Sequence, residues 1–155
     1  MKPERSIVPG SAALLVDTSA WIEIFARPPR LSIDDFTEDR DRIVTCLPVV
    51  QEVLQGFDDE RAFRIAKTAM YALPCFDSPL TDRVIDDAVE LYRRARRAGL
   101  TVRSSVDCLI AASAVRCHLT VVHNDRAFAH LTRVVALDHL DVAPLLGTRG
   151  LSVPA

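Results

Sequence analysis

Two short apolar runs in this chain each stop on an aspartate, Leu14-Leu15-Val16-Asp17 and Val121-Val122-His123-Asn124-Asp125. Short apolar runs closed by a polar stop are the pattern of strands buried on both faces. Residues 12–16, 43–46 and 120–122 fit it, as does a segment around 134–137, and residues 75–76 form a weaker candidate. The intervening segments read as helices. Thr18 and Ser19 offer N-caps for one through Trp21, Ile22 and Phe25, which Pro28-Pro29 ends. Pro48 opens another and Gly56 stops it. Apolar residues at three- and four-residue steps mark helices over 58–73, 82–98 and 104–118, with Gly99 ending the second of these. A shorter helix over 126–131 follows, and residues 33–42 read as an acidic, exposed loop or short helix. Short strands alternating with helices predict an α/β domain with a mostly parallel sheet.

Residues 1–11 are polar and Pro-broken and are expected to be a flexible extension. The domain is expected over 12–140, and a Pro- and Gly-bearing tail that frays over 141–155. A length of 155 residues suits one domain. Hydrophobic residues at 49% and charged residues at 26% exclude a disordered or fibrous chain. A net charge of −2 argues against holding nucleic acid by bulk positive charge, although a local cluster can differ from the average. No run approaches the roughly 20 apolar residues of a membrane span. The N-terminal apolar stretch is broken by Pro9 and Gly10, unlike the core of a signal peptide. Cys46, Cys75, Cys108 and Cys117 show no C-x-x-C spacing, and three lie in apolar segments, as buried reduced thiols do. A cytoplasmic protein is expected.

Four acids stand where a structural role is an incomplete account. Asp17 and Asp125 each terminate a strand, and in an open parallel sheet ligands bind beyond the carboxyl ends of the strands. Asp107 lies in the first turn of the helix that begins near Ser104, and Glu52 interrupts the apolar stretch Val49-Val50-Gln51-Glu52-Val53-Leu54. Each has an ordinary explanation: Asp17 and Asn124-Asp125 as turn residues, Ser104-Ser105-Val106-Asp107 as a capping box, Glu52 as a solvated helix residue. If the four converge, their mutual repulsion raises their pKa values unless a cation is present. A set of hard oxygen donors selects Mg2+ or Mn2+ over zinc. Metal-bound water and an offset of developing charge then suit phosphodiester hydrolysis.

At this point the residues resemble a known family. Leu14-Leu15-Val16-Asp17-Thr18-Ser19-Ala20-Trp21-Ile22-Glu23 resembles the opening of the PIN-domain ribonucleases, above all the VapC toxins of bacterial toxin–antitoxin pairs. The segments 48–56 around Glu52, 107–112 beginning at Asp107, and His123-Asn124-Asp125-Arg126-Ala127-Phe128 are similar to its later acidic motifs, in order. The resemblance implies a three-layer α/β/α fold with a central, mostly parallel sheet of four to five short strands. It implies a Mg2+- or Mn2+-dependent endoribonuclease with Asp17, Glu52, Asp107 and Asp125 as the acidic quartet. Asp17 and Asp107 would be the most direct ligands, Asp125 would complete the pocket, and Glu52 would ligate metal or orient the attacking water. Thr18 or Ser19 would hydrogen-bond Asp17, with Asn124 in the same supporting layer. The implied partners are a cognate, DNA-binding VapB-like antitoxin, an RNA substrate and a second copy of the chain. A C-terminal segment carrying a basic residue would lie over the site. The extension through residue 11 and the acidic stretch 34–41 depart from the family pattern.

Seventeen of the nineteen cationic residues are Arg. Arg93, Arg94, Arg96 and Arg97 form a tract that grips phosphate or a partner on one reading, and complements a helix dipole from a solvated face on the other. Arg103, near the start of the Asp107 helix, is the better candidate for touching RNA. His123 is read as structural, because a metal site needs no histidine base. Alternatives to the toxin are a PIN nuclease in RNA processing and a catalytically silent PIN-like interaction module, the latter disfavoured because all four acidic positions are filled. A receiver or phosphatase domain fits less well, since Asp17-Thr18-Ser19 lacks the second acid of a D-x-D motif.

Overall fold

Leu14, Leu15 and Val16 have no exposed surface at all, and a strand buried on both faces needs neighbours on both edges and helices above and below. The computed structural model, which describes residues 12–146, supplies both. The strands are β1 (Leu14–Val16), β2 (Ile43–Cys46), β3 (Cys75–Phe76), β4 (Thr120–His123) and β5 (His139–Asp141). They form one sheet in the order β3-β2-β1-β4-β5, and every pairing is parallel. The chain builds outward from β1 to β3 on one side, then returns to lay β4 against the other edge of β1. The order therefore reverses between β1 and β4, the crevice where open α/β sheets bind ligands.

The helices are α1 (Thr18–Phe25), α2 (Leu47–Gln55), α3 (Glu60–Tyr71), α4 (Asp82–Arg97), α5 (Ser105–Arg116), α6 (Arg126–Leu131) and a single turn, α7 (Ala143–Leu146). With the right-handed crossovers that parallel strands take, this strand order puts α1 to α3 on one face of the sheet and α4 to α6 on the other, the three-layer α/β/α arrangement. None of these helices is long and apolar enough to cross a membrane. α4 ends where Gly99 takes φ +75°, with the Leu100 N–H bonded to the Ala95 carbonyl (2.9 Å) and the Gly99 N–H to that of Arg96 (3.1 Å). This double closure satisfies carbonyls the helix leaves open. α5 closes the same way, Leu119 to Ala114 and His118 to Val115, with His118 at φ 54° in the position glycine usually takes.

Several expectations are corrected. Asp17, not Thr18 or Ser19, is the N-cap of α1, accepting from the Ser19 N–H. Residues 33–42 do hold short helices, the 3-10 turns Ile33–Asp35 and Arg40–Arg42, but the segment is not exposed throughout, since Phe36 and Thr37 between them are buried. The last strand is not at 134–137: the Val134 and Val135 amides bond back to Leu131, so this apolar stretch is a turn, and pairing with β4 begins later. Residues 141–146 are ordered as the end of β5 and as α7; residues 1–11 and 147–155, including any basic residue over the site, lie outside the described residues. Two of the cysteines, Cys46 and Cys108, are buried, while Cys117 is half-buried and Cys75 exposed. The core gathers on β1, β2 and β4 and on the inner faces of α1, α2 and α5.

Replacing Leu15 by Ala is expected to cost about 2–5 kcal/mol, since the site is enclosed on every side. Ile22→Ser, on the outer face of α1 at 60% exposure, is expected to stay within about 0.5 kcal/mol. Urea unfolding of the two variants checks this, and equal losses would contradict the placement of the core.

Candidate active site

The crevice between β1 and β4 is built from backbone outward. The Asp17 N–H bonds to the Val122 carbonyl (2.9 Å), so the two strands leave the sheet together. One residue later the chain turns into α1, and Asp17 caps that helix with Oδ2, which accepts from both the N–H (3.0 Å) and the hydroxyl (2.6 Å) of Ser19. Ser19 Oγ in turn accepts the Asn124 N–H at 2.9 Å. A single hydroxyl thereby ties the acid at the end of β1 to the turn at the end of β4. Asn124 enters through its backbone amide rather than its side chain.

Asp17 is 3% exposed, and its other oxygen, Oδ1, is buried with no hydrogen-bond partner among the described residues. Leaving a buried carboxylate oxygen bare is costly unless a cation completes it. Burial raises the Asp17 pKa, with a smaller push from the charge of Asp125, and hydrogen bonds from Ser19 and the Thr18 backbone oppose that rise. Glu52, carried by α2, is half-buried and accepts from the Thr18 hydroxyl at 3.3 Å; burial and then the charge of Asp17 raise its pKa. Thr18 thus serves Glu52, and Ser19 alone of the two serves Asp17 through its side chain.

Asp107 lies in the first turn of α5, which Ser104 caps through the Val106 N–H (3.2 Å). The reciprocal half of a capping box, an Asp107 bond to the cap backbone, is not formed. Its carboxyl is pushed up to about 7, first by burial and then by Asp125, Asp17 and Glu52, and no hydrogen bond counters the rise. Asp125, exposed at the start of α6, caps that helix by accepting from the Ala127 N–H (2.9 Å). Four carboxylates from four elements are thus close enough to act on one another's charge. Among the described residues no three His, Cys, Asp or Glu side chains close into a ready-made metal cage. The all-oxygen set with one bare buried oxygen still fits a hard divalent cation.

Arg94 and Arg97 both pair with Glu90 of their own helix, at 3.4 and 3.0 Å, and are more than half exposed. Arg93 and Arg96 are also exposed on α4, and Arg103 is exposed in the loop before α5. His139, which no sequence pattern singles out, has its ring nitrogen Nδ1 2.8 Å from Nε2 of His123. With the last strand expected over 134–137, nothing in the sequence pointed to that pairing.

The sequence profile of the PIN domain matches residues 14–134. Ribonuclease VapC11 of Mycobacterium tuberculosis is 35% identical over 134 residues, spanning 80% of this chain and 95% of the relative, and a VapC ribonuclease of Mycobacterium bovis matches equally well. Among solved structures, DNA-bound VapBC from Salmonella typhimurium matches with a TM-score of 0.68 at 18% identity, covering 84% of this chain and 98% of that one. VapBC-5 from Mycobacterium tuberculosis matches with a TM-score of 0.64 at 21% identity, covering 84% and 99%.

The raised Asp107 carboxyl predicts a pH dependence of stability without metal. Folded Asp107 holds its proton to about pH 7 while the unfolded carboxyl releases it near 4, so stability falls as pH rises through that interval. His123, lowered to about 4 by burial and by His139, opposes this below about pH 6.5, where the unfolded imidazole gains a proton that the folded one refuses. Between pH 6.5 and 8 the carboxyl is the larger of the two, because the unfolded imidazole is already half neutral at the start of that window. In chelator-treated buffer the melting temperature is expected to drop by about a degree or two across that window, and the drop to shrink in Asp107→Asn, leaving the smaller contribution of the raised Asp17 and Glu52. A variant that keeps the full slope would place its origin elsewhere.

Proposed function

The chain belongs to the PIN-domain family, and we propose that it is a VapC-like endoribonuclease toxin that hydrolyses RNA phosphodiester bonds with Mg2+ or Mn2+ at the crevice between β1 and β4. The observation that carries this reading is the convergence of Asp17, Glu52, Asp107 and Asp125 from four separate elements on one sheet edge, with Asp17 Oδ1 buried and bare. A fold alone would not license it, because PIN-like geometry without the acids has no means of holding a cation.

In this reading Asp17 and Asp107 would hold the metal, with Asp125 and Glu52 completing its surroundings. When bound, the cation supplies an acidified water and offsets negative charge on the reacting phosphate. The protein's own part is orientation. Ser19 locks the Asp17 carboxylate so that Oδ2 is spent on hydrogen bonds and Oδ1 remains available. Thr18 holds one Glu52 oxygen, leaving the other to accept a proton from, or align, an attacking water. Arg103 is the exposed cation nearest in sequence to Asp107 and is assigned to the RNA backbone, with the Arg93–Arg97 tract as a weaker contact.

The proposed partners follow the relatives, whose structures include VapBC toxin–antitoxin assemblies, some bound to DNA. A VapB-like, DNA-binding antitoxin is proposed to silence this chain in the cytoplasm. The chain is also proposed to pair with itself. Ile85, Val89 and Tyr92 stand exposed on α4 beside an apolar groove of about 330 Å³ shared with Leu109 of α5, a surface that a second copy would cover.

The decisive assay is cleavage of an RNA panel by the purified chain with Mg2+ or Mn2+. Asp17→Asn and Asp107→Asn are expected to lower the rate by at least about a hundredfold, since loss of a ligand should exceed the effect of losing its supporting partner. Both variants should keep the wild-type circular dichroism spectrum. Variants that cut as fast as wild type would remove the quartet from the chemistry, and cleavage of DNA in preference to RNA would replace the substrate.

A further inference from the structure

We propose that His123 is a positioning residue for Asp125, acting as a strut of fixed tautomer between the β4–α6 turn and His139 on the edge strand. The inference rests on the reading of Asp125 as part of the acidic site. His123 closes β4 and is wholly buried, with Phe128 of α6 and His139 of β5 each at 5.1 Å between ring centres. Its Nδ1 accepts the backbone N–H of Asp125 at 3.2 Å, and its Nε2 lies 2.8 Å from Nδ1 of His139.

A neutral imidazole has one donor and one acceptor, so these two contacts fix where the protons are. A backbone amide can only donate, which leaves Nδ1 of His123 bare and its proton on Nε2. Nε2 then donates to Nδ1 of His139, whose own proton is on Nε2. The direction of the whole relay is set by the Asp125 amide. The neighbouring amide is pinned as well, because the Asn124 N–H donates to Ser19 Oγ, the hydroxyl that holds Asp17. Two consecutive amides are therefore clamped from opposite sides, one by the hydroxyl that serves the β1 acid and one by the histidine strut. Asp125 Oδ1 is occupied by the Ala127 amide, so the aim of its other oxygen depends on this clamped backbone. Second-layer contacts of this kind orient ligands that they never touch through the metal.

Two substitutions separate the halves of the strut. In His123→Asn the side-chain oxygen takes the place of Nδ1 and keeps the acceptor for the Asp125 amide. In His123→Gln a polar group reaches toward His139 and the near acceptor is lost. Long-range nitrogen–proton NMR correlation on the wild-type protein is expected to show His123 with a bare Nδ1 and a protonated Nε2. The Asp125 amide is expected to be protected from hydrogen exchange in wild type and in His123→Asn, and to exchange freely in His123→Gln. Calorimetric Mn2+ affinity is expected to weaken about 10–100-fold in His123→Gln and to stay within about threefold in His123→Asn, at similar melting temperatures. A protonated Nδ1 on wild-type His123, or equal amide protection in the two variants, would overturn the strut. Absence of RNA cleavage by the wild-type protein would overturn the enzymatic reading instead, and the tautomer and exchange results would still decide the strut.

Discussion

A carboxylate at the end of the central strand, shut away from water with one oxygen bonded and the other bare, is the constraint around which this structure is arranged. Asp17 is tied into the fold by both its side chain and its backbone, because it caps α1 and its amide is part of the β1–β4 pairing. Its neighbours Glu52 and Asp107 are pushed toward their neutral forms by burial and by its charge. The protein thus stores an electrostatic cost at one edge of an otherwise well-packed sheet. A polar site that destabilises its own metal-free state is one that a cation relieves, and such exceptions to good packing are where function is found.

Ser19 shows how little material holds the site together. One hydroxyl donates to Asp17 and accepts from the Asn124 amide, so the ends of β1 and β4 share a single hinge point. His123 clamps the next amide from inside the sheet. The strands are short, three and four residues, and cannot by their own length fix the spacing of acids at their ends. These side-chain bonds do it for them.

Much of this was legible in the sequence because it depends on local rules. Apolar runs that stop on Asp17 and near Asp125 mark buried strands and their functional ends, and Gly99 marks the close of α4 through the left-handed conformation it adopts. Asp107 in a first helical turn read equally well as a cap, and only its surroundings separate the two roles: Ser104 does the capping, while burial and the three other acids act on Asp107. What the sequence hid was long-range. Val134 and Val135 look like a strand but bond back to Leu131, whereas β5 is a polar-ended, partly exposed edge strand with no apolar run to announce it. With β5 misplaced, the partnership of His123 and His139 was invisible. The division of labour between Thr18 and Ser19 depends on where α2 brings Glu52, which no local pattern states. The net charge of −2 misleads in the same way, since it averages acids gathered at one crevice with arginines spread over α4 and the loops.

The central claim is that these four acids form one divalent-cation site. An anomalous difference map from crystals soaked in Mn2+ tests it most directly. A peak within coordination distance of Asp17 Oδ1 and of the Asp107 carboxylate, absent from crystals of Asp17→Asn, is the result expected. A map with no peak in the β1–β4 crevice, or with manganese bound only elsewhere on the surface, would contradict it.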